Sequence, residues 1–160
     1  MTSPTKKTPL TKPFRAITAD ALRGLEPAKV KKLFEELGPQ KTEELKHDWS
    51  FWARDNQLAP DNDDWNTWFI NAGRGFGKTR SGVEWVRENV KRGCKRIAAV
   101  ASTNSDIERV MVKGESGFLS VCWKGDKTYA GKKMGFPEWS PTKRTLTWEN
   151  GAQVQFFSAE

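Results

Sequence analysis

The densest chemistry in the chain lies at residues 71–80, NAGRGFGKTR. Gly73, Gly75 and Gly77 alternate with Arg74 and Phe76, and Lys78 and Thr79 follow directly. Glycines let backbone N–H groups converge on an anion with no Cβ atoms in the way. A lysine then supplies a cation and a threonine a hydroxyl. The order matches the phosphate-loop (Walker A) pattern G-x-x-x-x-G-K-[ST] at its last three positions, with Ala72 in place of the first glycine. In that chemistry Lys78 reaches the β- and γ-phosphates of ATP, and Thr79 holds Mg2+ through its hydroxyl. The plainer alternative is a glycine-rich turn beside a helix cap. An apolar stretch before the loop and a helical pattern after it favour the phosphate site.

Such a loop needs a strand behind it and a helix ahead. Trp68–Asn71 is predicted as the strand. Beyond Thr79, Val83, Val86 and Val90 recur on one helix face, and Gly93 stops the helix after Arg92. Residues 96–102, RIAAVAS, lack alternation and predict a strand buried on both faces, as in a parallel sheet. Ser105 and Glu108 have capping-box spacing and open a helix carrying Ile107, Val110 and Met111, which Gly114 ends. This strand–helix alternation predicts an α/β fold.

Upstream, Val30, Leu33, Phe34 and Leu37 share one helix face, with Pro27 in the first turn, Gly38 as left-handed cap and Pro39 as stop. A second helix is expected from Thr42, with Leu45, Trp49 and Trp52 on one face, followed by a polar loop from Asn56 to Asp64. Trp49, Trp52, Trp65 and Trp68 read as packing residues. Downstream, 121–144 is rich in Lys and Gly, with Trp123, Tyr129, Phe136 and Trp139 interleaved, and reads as an irregular loop. TLTWENGAQVQFF then predicts a hairpin. A two-residue turn at Asn150-Gly151 sets Trp148 opposite Gln153. A three-residue loop, Glu149–Gly151, instead pairs Trp148 with Ala152 and Leu146 with Val154, which makes one face apolar throughout. That register is predicted, with Gly151 in the left-handed region.

A formal charge of +7 over 160 residues, with 36% apolar and 29% charged residues, fits one domain of ordinary size and an anionic partner such as nucleic acid. Residues 1–13 form a Ser/Thr/Pro/Lys-rich segment predicted as a disordered basic tail; its Lys6, Lys7 and Lys12 either touch DNA or are simply solvated. Cys94 and Cys122 stand far apart and His47 is the sole histidine, which favours free thiols in a reducing, intracellular compartment over a zinc site. No apolar run approaches the roughly 20 residues of a membrane span, so no membrane partner is expected.

Residues 68–86, WFINAGRGFGKTRSGVEWV, resemble the ATP-binding loop of phage large terminase subunits, the motors that pack DNA into proheads. Three further stretches agree in order: WSFWARDNQLAP (49–60), DIERVMVKGESGFL (106–119) and RTLTWENGAQVQFFSAE (144–160). The resemblance covers most of residues 43–160. It implies a P-loop NTPase fold of the ASCE type with a mostly parallel sheet, N-terminal helices and a C-terminal β-hairpin. The expected division is a disordered tail at 1–15, a helical segment at 16–66 and a partial ATPase domain at 67–160. Gly73, Arg74, Gly75, Phe76, Gly77, Lys78, Thr79 and Arg80 would hold the triphosphate. Arg74 would sense or stabilise the γ-phosphate, and Gln57 stands where these motors place an adenine-reading glutamine. For Arg74 the alternative is a salt bridge at the loop rim; for Gln57 it is a loop hydrogen bond. The implied partners are double-stranded viral DNA, the portal or prohead, a small terminase subunit and further copies in a ring, within the host cytoplasm.

Hydrolysis needs more than this loop: an Asp for Mg2+ and a Glu to activate water, both following an apolar strand. RIAAVAS ends with no acid at its tip, and AQVQFFSAE reaches only Glu160. Asp106, Glu115 and Asp126 follow no apolar strand. Residues 1–160 are therefore expected to bind a triphosphate without splitting it. The carboxylate strand and the family's RNase H-like nuclease domain are expected beyond them. Two other readings stay open: part of another ASCE ATPase such as a DNA helicase, or a non-catalytic module that grips an anion or DNA.

Overall fold

The computed structural model describes residues 18–60 and 64–160. The basic tail, with Lys6, Lys7 and Lys12, lies outside the described residues. The fold is mixed α/β around an open four-stranded sheet in the order β1-β4-β3-β2. The strands are β1 (Arg96–Ala101), β2 (Glu138–Ser140), β3 (Thr145–Thr147) and β4 (Gln153–Ser158).

The sheet is mostly antiparallel, not mostly parallel as expected. Strands β2, β3 and β4 follow one another through short turns, and tight turns join only antiparallel neighbours. Only β1 and β4 run parallel, with Arg96 opposite Gln153 and Ala101 opposite Ser158. Long intervening chain makes that crossover feasible. The hairpin has the three-residue loop and the predicted register: Leu146 faces Val154, and Trp148 N–H donates to the Ala152 carbonyl at 2.9 Å. Gly151 has φ 82°, the left-handed conformation the loop requires. Its apolar face is the centre of the core, where Leu146, Trp148, Ala152, Val154 and Phe156 are all buried. Phe118 meets Trp148 and Phe156 edge-on at ring separations of 6.3 and 5.7 Å. Full burial of each such large side chain is worth roughly 1.5–3 kcal/mol.

Helix α4 (Lys78–Lys91) lays Val83, Val86 and Val90 on this core, as their spacing predicts, and Gly93 follows its end at φ 97°. Strand β1 is covered on one face only. Ala99 joins the core, whereas Val100 is 60% exposed beside the half-exposed Phe157. The expectation of a strand buried on both faces fails here because α4 and the segment after β1 pack on the same side.

Trp68–Asn71 is not a strand. A strand needs a partner for its N–H and C=O groups, and among the described residues these four find none in the sheet. Phe69 is 81% exposed.

The N-terminal helices are α1 (Ala19–Arg23), α2 (Pro27–Lys46) and α3 (Trp49–Trp52). Within α2 the chain kinks at Gly38, φ 76°, and Pro39 restarts the helix rather than ending it. Proline tolerates a first helical turn because its missing N–H has no partner there anyway. The expected continuous face from Leu45 to Trp52 is interrupted: His47 ends α2, and Asp48 caps α3 by accepting from Ser50 N–H at 2.9 Å. Trp52 is mostly exposed, with its indole N–H on the Leu45 carbonyl at 3.0 Å.

After β1, Thr103 rather than Ser105 caps α5 (Asn104–Asp106), accepting from Asp106 N–H at 3.1 Å. The helix continues as a π-helical segment, Ile107–Val112, and α6 (Phe118–Val121) follows. Cys94 is exposed and Cys122 buried, both as free thiols, and burial pushes the Cys122 thiol up to about 12. Among the described residues no helix is long and apolar enough to cross a membrane.

Candidate functional site

The loop at 72–77 needs glycine at two of its three glycine positions. Gly75 and Gly77 have φ of 81° and 95°, a region costly to residues with a Cβ. An added Cβ at Gly77 would also lie 2.8 Å from Gln57 Nε2, so the end of that side chain would have to shift. Gly77 is also the N-cap of α4, and the first hydrogen bond of that helix runs from Ser81 N–H to the Gly77 carbonyl at 2.9 Å. The N–H groups of Lys78, Thr79 and Arg80 precede it and have no partner within the helix. They sit at the positive end of the helix dipole, a setting suited to an anion.

Lys78 turns back over its own loop. Its Nζ donates to the carbonyls of Ala72 at 2.7 Å and Gly73 at 2.8 Å. The ammonium thus closes the loop while remaining exposed.

The outer side of the loop is held by the turn at Asp55–Gln57. Gln57 Nε2 donates to the Phe76 carbonyl at 2.7 Å, and Gln57 Oε1 accepts from Arg54 N–H at 3.1 Å. Arg54 Nη2 donates to the same Phe76 carbonyl at 2.8 Å, with its guanidinium 5.4 Å from the Phe76 ring centroid. Gln57 is buried and bonded to the loop, so the upstream segment and the glycine-rich loop are in contact. An amide has two donor hydrogens and two acceptor lone pairs, so one of each is left on Gln57 after these bonds.

A cleft of about 560 Å3 opens beside the loop. Arg74, Gly75, Gly77, Lys78 and Thr79 form one wall; Arg109, Val110 and Gly114–Ser116 form the other. Three cationic side chains and one carboxylate, Glu115, therefore face the space. Of the residues expected to bind nucleotide, Gln57, Gly73, Phe76 and Arg80 do not line it. Arg80 pairs with Glu84, Nη2 to Oε1 at 2.8 Å, and lies over the Trp49 ring at 5.4 Å.

Arg80 belongs instead to a buried ionic chain that anchors α4. Arg87 donates Nε to Asp126 Oδ2 at 2.6 Å, Nη1 to Glu84 Oε2 at 3.0 Å and Nη1 to the His47 carbonyl at 2.8 Å. Lys91 stands 3.4 Å from Asp126. Burial alone would raise the Asp126 carboxyl, but the Arg87 hydrogen bonds and the charges of Arg87 and Lys91 hold it below the usual carboxylate range. His47 stacks on Trp123 at 4.7 Å. The 121–144 segment, expected as an irregular loop, holds the end of α6 and all of β2, and its first part is pinned to α2 and α4 through Asp126 and Trp123.

Arg54, Arg109, Glu115, Ser116 and Asp126 were not singled out by sequence as parts of the site or its support. The one local signal was Gly114 and Gly117 bracketing Glu115-Ser116, a spacing that marks a tight turn. Among the described residues no group of three or more His, Cys, Asp or Glu could hold a metal ion. Thr79, which carries a hydroxyl, is one of the residues lining the cleft. That fits Mg2+, which commonly takes one or two protein ligands and otherwise uses phosphate and water. Comparison with protein-family models, with curated proteins and with solved structures gives no match for this chain.

Proposed function

We propose that the chain is the ATP-binding part of a DNA-packaging motor of the large terminase type, built on a P-loop NTPase fold. The observation that carries this reading is the Lys78 ammonium, folded onto the Ala72 and Gly73 carbonyls above the N-terminus of α4. A triphosphate entering the cleft would accept from the loop and helix N–H groups, and Lys78 would exchange its two carbonyl partners for phosphate oxygens. Arg74, in the cleft wall, would stand at the terminal phosphate. Thr79 would hold Mg2+, which neutralises phosphate charge when bound. Gln57, oriented by its bonds to Phe76 and Arg54, would present its remaining donor and acceptor to adenine.

Double-stranded DNA, a portal, a small terminase subunit and ring-forming copies of the chain in the host cytoplasm are the proposed partners and setting. Binding of DNA by lysine clusters would be independent of sequence and would weaken steeply with salt, through counterion release. The test is a Mg-ATP titration of the wild-type chain and of Thr79→Ala, with and without Mg2+. The proposal expects Mg2+ to strengthen wild-type binding and Thr79→Ala to lose that increment. An equal response to Mg2+ in both proteins would remove Thr79 from the site.

A further inference from the structure

The cleft wall opposite the glycine-rich loop is built with unusual tightness, and it presents one cation, Arg109. Arg109 is exposed and, among the described residues, makes no side-chain hydrogen bond or close ion pair, although its charge helps hold the Glu108 carboxyl below its usual range after the Lys113 contact. Its neighbours are engaged: Lys113 Nζ donates to Glu108 Oε1 at 2.5 Å. Arg109 sits in the π-helical segment, where Lys113 N–H reaches back five residues to the Glu108 carbonyl at 2.9 Å. One-turn π-helices re-aim side chains and recur at functional sites.

The turn that follows is pressed onto this segment. A Cβ at Gly114 would come 2.6 Å from the Val110 carbonyl oxygen, and one at Gly117 would come 2.8 Å from those of Met111 and Val112. Gly117 N–H and Ser120 Oγ both donate to the Gly114 carbonyl at 2.8 Å. Two glycines are thus needed so that Gly114–Ser116 can lie in the wall of the same cleft as Lys78.

We infer that Arg109 is a second-wall ligand of the nucleotide, its guanidinium pairing with the terminal phosphate of a Mg-bound nucleoside triphosphate. The inference rests on the nucleotide reading of the phosphate loop. A guanidinium presents a planar fork of donors that matches phosphate oxygens, and one that lines the same cleft as Lys78 is placed to do so. The bland alternative, a solvated surface arginine, predicts no dependence on the nucleotide.

The experiment is equilibrium binding of Mg-ATP and of Mg-ADP to the full chain, wild type, Arg109→Ala, Arg109→Lys and Lys78→Ala, with thermal unfolding of each as a check on folding. Arg109→Ala is expected to weaken Mg-ATP binding about tenfold, the scale of one charge-assisted hydrogen bond, and to change Mg-ADP binding much less. Arg109→Lys should recover part of the loss. Unchanged ATP affinity in Arg109→Ala, or equal losses for ATP and ADP, would overturn the inference. If Lys78→Ala loses nucleotide while Arg109→Ala does not, the phosphate loop stands and Arg109 falls. If the folded wild type binds neither nucleotide, both fall.

Discussion

Arg87 and Asp126 meet side-on through two hydrogen bonds, Nε to Oδ2 at 2.6 Å and Nη2 to Oδ1 at 2.5 Å, with side chains only 2% and 3% exposed. This pair ties the helix that carries Lys78 to the segment between α6 and β2, and through the His47 carbonyl to the N-terminal helices. It anchors the helix that follows the glycine-rich loop without touching the loop itself.

Removing one partner strands a buried charge, so Asp126→Asn should destabilise the fold by about 3 kcal/mol near neutral pH. The Asp126 carboxyl titrates below its unfolded value in the folded chain. Its contribution is therefore fully present above the unfolded pKa, roughly 4, and is lost as pH falls through the lower folded value. Denaturant unfolding at pH 7 and again below pH 4 should show the gap between wild type and variant narrowing with acid. A gap that is absent at pH 7 would mean the pair does not anchor α4.

Gly151 tests the hairpin register. Nothing lies within 4 Å of the Cβ that Gly151→Ala would add, so the expected loss comes from φ alone. At φ 82° that loss should be about 1 kcal/mol, whereas Gly151→Asn should be nearly neutral because asparagine tolerates the left-handed region. Chemical denaturation of the two variants decides it; equal stabilities would argue against the three-residue loop.

What the sequence conveyed and what it did not divide along physical lines. The hairpin register was legible because a one-residue slip would have set Trp148 and Leu146 opposite glutamines, so the apolar pattern allowed one answer. The inward face of α4 was legible for the same reason, in the spacing of Val83, Val86 and Val90. Trp68–Asn71 and the two faces of β1 were misread because strand identity depends on partners and covering layers, which local composition does not encode. The second cleft wall was hidden because Arg109 comes to line the same cleft as Lys78 only through the tertiary packing of the segment after β1. Asp126 was passed over because its partner Arg87 lies 39 positions away.

Gln57 offers a separable prediction. If its free donor and acceptor read adenine, Gln57→Ala should narrow the preference for ATP over GTP. Its bond to the Phe76 carbonyl should add a loss common to both nucleotides. Competition binding with the two triphosphates separates the effects. An unchanged ATP/GTP ratio would leave Gln57 as a support for the loop alone.

The most direct test is equilibrium binding of Mg-ATP to the folded wild-type chain beside Lys78→Ala, with circular dichroism to confirm that both are folded. Lys78 already reaches two loop carbonyls, at 2.7 and 2.8 Å, that phosphate oxygens would replace as its partners. The account predicts saturable binding at one site in the wild type and a loss of about a hundredfold or more in Lys78→Ala, since two charge-assisted hydrogen bonds vanish together. No binding by the folded wild type, or equal binding by a folded Lys78→Ala, would contradict it.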